Sequence, residues 1–473
     1  MSKNLGSWQV ISLISRFSAL FLGLVQSVII ARLLTVSEFG LIGLVSAIGA
    51  IAGIAQHLGL ASGTTREISA SSNKNDAFKI FATSLLIKYV LVFPIAITLF
   101  VMAPFLSEVV YKHPELTLPI RLYSIVLVVQ GVQSILNSVI AGLQKFRSLF
   151  FYQVAIAVLS VIIYVPLVLL YRVNGYFFAL CIFNIVGSVS LAFLALWPIR
   201  EHLKTPSKNE FSRIFKNVFV LSLGIYFVKV LYTIWYKFGQ LALGYFNAIE
   251  SVGIFSFALL YSSKLQTISD ALTDVNLPVF SKEFSTNFEN FKKLFNENFN
   301  KLFIFIMLSG VVGIYWAKDI ILLAVGAKYE PSVSLVLPLV MAFAFYSYIN
   351  ILKSSVLIPA KMISEMIMGF VFMLLGTVVS YFVFNPIFGG IVAMSLSMFL
   401  GALVGFISLI FMVKFKLDFY IIDKSDILIS MCILSIFTGY FLLTGFLLKL
   451  IFFLIYSSFL FLVLKTSGFF DLK

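Results

Sequence analysis

Long apolar runs separated by short polar connections make up most of this chain, and their lengths predict helices that cross a membrane. A bilayer-spanning helix needs roughly 20 apolar residues. Fourteen stretches approach or exceed that length, at about 10–31, 39–60, 78–103, 118–141, 149–171, 176–197, 218–242, 252–275, 302–317, 333–357, 362–384, 390–413, 427–443 and 446–464. The runs are continuous and lack the alternating pattern of outer-membrane strands, so helices, which satisfy their own backbone groups in lipid, are expected over a barrel. The first run carries Arg16, shows no small-residue cleavage pattern and is followed directly by further spans, so it reads as a span and not as a removable signal. Pro94, Pro166 and Pro338 fall inside predicted helices and favour bends there.

The polar connections are short. The two largest on the side taken as inner are 200–216 and 278–301, and the second sets Phe280, Phe284, Phe288, Phe291 and Phe295 at near-helical spacing. That spacing predicts an amphipathic helix lying on the inner membrane face. With the N-terminus inside, the inner connections hold most of the 34 lysines and arginines, among them Arg66, Lys79, Lys145, Arg213 and Lys292. Lys112, Arg121, Arg172 and Lys328 fall outside. Both termini are therefore expected in the cytoplasm. Composition agrees with a lipid environment: 61% hydrophobic residues, 11% charged residues and a mean hydropathy of +1.05. The net charge of +14 follows from this loop bias and gives no reason to expect nucleic acid as a partner. Cys181 and Cys432 are far apart within spans and suggest neither a disulfide nor a metal site.

A repeat organises the spans. The segment ARLLTVSEFGLIGL after span one pairs with LGYFNAIESVGIFSF after span seven, bringing Gly40 onto Gly253 at an offset of 213, and the loops after spans three and nine pair similarly. A six-helix unit repeated with unchanged topology implies halves related by a pseudo-twofold axis along the membrane normal. The expected organisation is an N-lobe over 1–200, a cytoplasmic linker over 201–216, a C-lobe over 217–415 and a C-terminal hairpin over 426–465. The fold class expected is thus an all-α polytopic membrane protein with about 14 transmembrane helices.

Five cations interrupt the spans: Arg16 on span one, Lys88 on span three, Lys229 and Lys237 on span seven, and Lys264 on span eight. A charge at the bilayer centre costs about 2.5–3.5 kcal/mol on insertion scales, so cations kept at depth imply a polar cavity, a partner or a ligand. Arg16 and Lys237 lie about 9 Å or less from a helix end and are able to snorkel, whereas Lys88, Lys229 and Lys264 sit about 15 Å or more from one. Under the repeat offset Arg16 falls on Lys229. Polar stripes run along span seven (Ser222, Lys229, Thr233, Tyr236, Gln240) and span four (Gln130, Gln133, Asn137, Ser138), and each reads either as a cavity wall or as interhelical glue. Most carboxylates, including Glu38, Glu108, Glu250 and Glu365, lie near span ends, with Asp270 and Asp274 towards the inner end of span eight. Unmatched cations suit an anionic cargo and count against an exporter of cationic drugs.

At these residues the chain resembles a known family. ARLLTVSEFGLIGL, LGLASGTTREIS, IAGLQKFRSLFFYQV, ILLAVGAKYEPSVSLV and NPIFGGIVAMSLSMFLG are similar, in order and spacing, to segments of the oligosaccharide flippases in the polysaccharide-transport branch of the multidrug/oligosaccharidyl-lipid/polysaccharide exporter superfamily. The likeness covers the first twelve spans. It implies a bacterial inner-membrane protein that moves undecaprenyl-pyrophosphate-linked repeat units, such as O-antigen, from the cytoplasmic to the periplasmic leaflet by alternating access, in contact with lipid and with the polysaccharide polymerase machinery. Arg16, Lys88, Lys229, Lys264 and Lys237 are the residues expected to line the substrate cavity. Many relatives carry an acid near the end of span seven, where this chain has Lys237, Phe238, Gly239 and Gln240, so a cation-coupling role is not carried over and the coupling ion stays unassigned. No cofactor is implied. Other lipid-linked precursors (peptidoglycan, capsule, teichoic acid) and drugs remain alternative cargoes. A glycan polymerase or ligase is disfavoured because the outer loops are short and no catalytic spacing stands out.

Overall fold

The computed structural model describes residues 21–54, 60–70, 74–143, 145–197, 206–220, 223–418, 421 and 446–466. Helices and turns account for these residues, with no strand among them. In order they are α1 (Phe21–Leu33), α2 (Val36–Ala52), α3 (Leu60–Ala70), α4 (Lys74–Pro104), α5 (Thr117–Gly142), α6 (Phe146–Leu196), α7 (Lys208–Val220) and α8 (Leu223–Phe246). Then follow α9 (Ile249–Ser262), α10 (Gln266–Thr286), α11 (Phe288–Tyr315), α12 (Ala317–Val325), α13 (Val333–Leu352), α14 (Ile363–Phe388), α15 (Gly390–Leu417) and α16 (Phe446–Thr466). Seven described helices are long and apolar enough to cross a membrane. The all-α polytopic class holds. Arg16 and span thirteen lie outside the described residues.

The chain forms two compact units: Met1–Ser256 with Ala324–Lys328, and Phe257–Leu323 with Tyr329–Lys473. In the first unit α2 starts at a capping box, Thr35 Oγ1 accepting from the Glu38 N–H (3.2 Å) while the Glu38 carboxylate accepts from the Thr35 N–H (2.8 Å). Spans five and six are the arms of a helical hairpin, α6, whose chain reverses at Arg172 (φ 54, ψ −126). The reversal is tight enough that a Cβ at Gly175 would fall 1.9 Å from the Leu167 carbonyl oxygen. Tyr164 on one arm packs against Tyr176 and Phe183 on the other, at ring separations of 5.1 and 6.0 Å. Below, α7 inserts Ile214 into a core with Ile68, Phe81, Ile135, Val139 and Leu191, and Glu210 at its start meets Lys79 at 2.6 Å.

The repeat offset has a direct structural counterpart where α2 crosses α9. A Cβ on Gly40 would lie 2.3 Å from the Ile249 oxygen, and one on Gly253 would lie 2.0 Å from the Val36 oxygen. At an offset of 213, Val36 corresponds to Ile249 and Gly40 to Gly253, so the two contacts are the same contact exchanged. A Cβ on Gly40 would also lie 2.9 Å from the Gly253 nitrogen, and one on Gly43 would lie 2.3 Å from Oγ of Ser256, its own equivalent. Reciprocal pairs together with self-pairs are what a local twofold axis produces.

In the second unit α13 is central: 83% of the apolar window through it is buried, against 17% for the α6 hairpin of the first unit. The expectation of an amphipathic helix on the inner face is corrected here. Residues 278–301 are not a separate surface element; they belong to the end of α10 and the first half of α11, which runs unbroken from Phe288 to Tyr315. The chain breaks only at Asn287, whose side chain caps α11 by accepting the N–H groups of Glu289 (3.0 Å) and Asn290 (3.1 Å). The phenylalanines pack helix against helix, Phe280 lying 6.1 Å from both Phe291 and Phe295, all three buried.

Candidate functional site

Lys88 lies midway along α4 and is 2% exposed. Its Nζ donates to Ser134 Oγ on α5, and Ser134 in turn donates to the Gly131 carbonyl (3.1 Å). Its stem runs past Gly131, where an added Cβ would be 3.9 Å from Lys88 Cε. An ammonium carries three donors, and among the described residues Lys88 makes no ion pair with a carboxylate. Gln130, Ser134 and Asn137 recur at helical spacing along α5, so the Lys88 contact falls on a polar face. Gln133 donates to the Asn184 carbonyl (2.8 Å), which makes it interhelical glue.

Lys229, near the start of α8, is the second cation of this region. Its side chain is exposed, and its charge acts repulsively on that of Lys88. Neither lysine makes an ion pair with a carboxylate among the described residues. Lys237 is two turns further along α8 and is occupied otherwise: Nζ donates to Gln240 Oε1 (3.2 Å) and lies 4.8 Å from the centre of the Tyr236 ring, while Gln240 donates to Ser256 Oγ (2.9 Å). Lys264 belongs to the second unit, half-buried in a 3₁₀ turn, Ser263–Leu265, that interrupts span eight between α9 and α10. Short 3₁₀ stretches within a helical path are where such paths bend. Close by in sequence, exposed Asp270 of the second unit accepts from Asn350 (2.8 Å) and Gln266 (3.1 Å).

A different kind of cluster, not foreseen as a unit, closes the end of the first unit remote from α7. Arg172, at the tip of the α6 hairpin, donates to both carboxylate oxygens of Glu38 (2.9 and 2.6 Å) and to the Leu33 carbonyl (2.8 Å). Lys328 donates to the carbonyls of Arg32 (2.9 Å) and Leu34 (2.6 Å). Each charge here meets an opposite charge or a backbone carbonyl. Partial burial of Glu38 works against its ionised form, yet the hydrogen bonds from Arg172 and Thr35 hold its carboxyl below the usual glutamate range. Among the described residues no three His, Cys, Asp or Glu side chains group as metal ligands.

Comparison with known proteins places these observations. No curated protein sequence matches the chain. Solved structures do: the lipid II flippase MurJ in an inward closed conformation superposes with a TM-score of 0.73 at 16% identity, covering 96% of this chain and 99% of that one. An inward-facing multidrug resistance MATE family transporter of the MOP superfamily gives 0.64 at 16% identity, covering 84% and 94%. A eukaryotic MATE transporter gives 0.59 at 12% identity, covering 85% and 96%. These neighbours share the fold, and they are transporters, not catalysts. A sequence profile described as "Polysaccharide biosynthesis protein" matches residues 29–334, more than half of the chain. The chain is a member of that polysaccharide biosynthesis protein family, on the fold of the MOP transporters.

Proposed function

We propose that this protein is a flippase for lipid-linked oligosaccharides, carrying undecaprenyl-pyrophosphate-linked repeat units of O-antigen or a related polysaccharide across the bacterial inner membrane. The observation that carries the proposal is buried Lys88, held by Ser134 with no carboxylate partner among the described residues and with the like charge of Lys229 acting on it. Lys88 costs about 2.5–3.5 kcal/mol to hold at depth on insertion scales, and the like charge of Lys229 adds to that. A pyrophosphate offsets both terms, because it is multiply anionic and rich in acceptor oxygens. Membership of a polysaccharide biosynthesis family and likeness to a lipid II flippase support a lipid-linked cargo. The polyprenyl chain would stay in lipid, with both termini of the protein in the cytoplasm and Lys264 and Arg16 as further candidates for the headgroup. Delivery to the outer leaflet would place the product before the polymerase.

A multidrug exporter is the second reading, favoured by the MATE likeness. Charge sign separates the two, since a cationic drug would be repelled by Lys88 and Lys229. The test is Lys88→Met combined with Lys229→Met in cells, with correct insertion verified and polyprenyl-linked intermediates extracted and assigned to a leaflet. Complete lipid-linked oligosaccharide should build up on the cytoplasmic side. Undisturbed glycolipid turnover would sink the proposal, and drug sensitivity in its place would favour the exporter.

A further inference from the structure

A pocket of about 490 Å³ opens at the end of the first unit remote from α7, lined by Glu38, Glu115, Arg121, Tyr171, Arg172 and Asn174 among others. That volume lies within the usual range for small-molecule sites. One wall is already spent, because Glu38 and Arg172 are bound to each other. The remaining groups keep bonding capacity. Arg121 Nε is buried without a hydrogen-bond partner, and its guanidinium lies 5.2 Å from the centre of the Phe100 ring. The Asn174 carboxamide makes no hydrogen bond to another described residue. Glu115 accepts from His113 through one oxygen (2.9 Å), while about half of its side chain (53%) stays exposed.

Converging donors and acceptors decide the ligand class. A phosphate or diphosphate only accepts and would meet the Glu115 carboxylate. A cation would meet the Arg121 guanidinium. A polyhydroxylated molecule both donates and accepts, so that it satisfies Arg121, Asn174 and Glu115 together, and the exposed Tyr171 ring offers a face for its apolar C–H side. We propose that this pocket binds saccharide, and that its occupant is the glycan of the cargo as it arrives in the outer leaflet. The occupant rests on the flippase reading above; the saccharide chemistry does not.

The test uses the full-length protein in lipid nanodiscs and saturation-transfer NMR with a panel of free hexoses and N-acetylhexosamines, inorganic diphosphate being added as competitor. Sugar signals are expected, undisturbed by diphosphate and unchanged by Lys88→Met with Lys229→Met. Arg121→Gln should weaken binding about tenfold, as one lost charge-assisted hydrogen bond implies. Because Arg121→Gln is able to disturb folding, Asn174→Trp at the exposed hairpin tip provides a second variant, which fills the pocket and should abolish binding. Absence of sugar signals, displacement by diphosphate, or full binding in both variants overturns the proposal. In cells, both variants should slow oligosaccharide delivery. Sugar binding with unchanged delivery would overturn the assignment to cargo, and sugar binding that survives a failure of the Lys88 and Lys229 test would refute the flippase reading alone.

Discussion

The first unit contains two charged clusters that are built in opposite ways. At its end, Glu38, Arg172 and Lys328 are saturated: each charge meets an opposite charge or a backbone carbonyl, and the bonds join α1, α2, the α6 hairpin and the residues before α13. Within the spans, Lys88 and Lys229 repel one another, and Lys88 is steadied only by a serine. The difference separates structure from readiness. A matched cluster has already reached its free-energy minimum and fixes backbone, whereas an unmatched one keeps its free energy available to a ligand that supplies the missing sign.

Charge reversal is the strongest way to break this contrast. Lys229→Glu would put a carboxylate where the repulsion is, converting the unmatched cluster into a matched one. Transport should be lost while the unfolding midpoint rises, and a transporting Lys229→Glu protein would show that the pair does not receive an anion. Cutting the saturated cluster should have the converse effect. Arg172→Ala removes three hydrogen bonds but from a side chain 45% exposed, so a loss of about 1 kcal/mol is expected, read as a lower unfolding midpoint.

The smallest effect concerns pH. Because the folded carboxyl of Glu38 titrates below its unfolded value of about 4.3, its contribution is complete above that value and disappears as pH falls through the lower folded one. The difference in unfolding midpoint between the wild type and Glu38→Gln should therefore be constant near neutrality and shrink in acid below the glutamate range. A difference that grows in acid would contradict the assignment.

Hydropathy made most spans legible, since a run of apolar residues needs no partner to declare itself. The boundaries of α4, α5, α14 and α15 follow the expected runs within a few residues. What periodicity does not carry is which distant segments meet. Arg172 and Glu38 are 134 residues apart, and Lys328 and Leu34 are 294 apart, so each residue was readable as an interfacial charge but not as a bonded one. Ser134 gave no signal as the partner of Lys88, because serines are common in packed membrane helices. The stretch 278–301 misled for a physical reason: phenylalanines at helical spacing look alike whether they face lipid or another helix, and only the Asn287 cap, a single residue, separates α10 from α11. The 3₁₀ turn at Lys264 was hidden inside an unbroken apolar run.

The crossing of α2 and α9 has a bearing on how this chain tolerates change. Gly40 and Gly253 lie far apart in the sequence, yet they share one small volume, and each leaves no room for a methyl group on the other's helix. Sterically they are a single position written twice. Selection therefore acts on the pair jointly: enlarging either residue forces the same two backbones apart, and no substitution confined to one copy of the repeat restores the approach. The internal repeat is thus held by a steric constraint that neither half is free to escape alone.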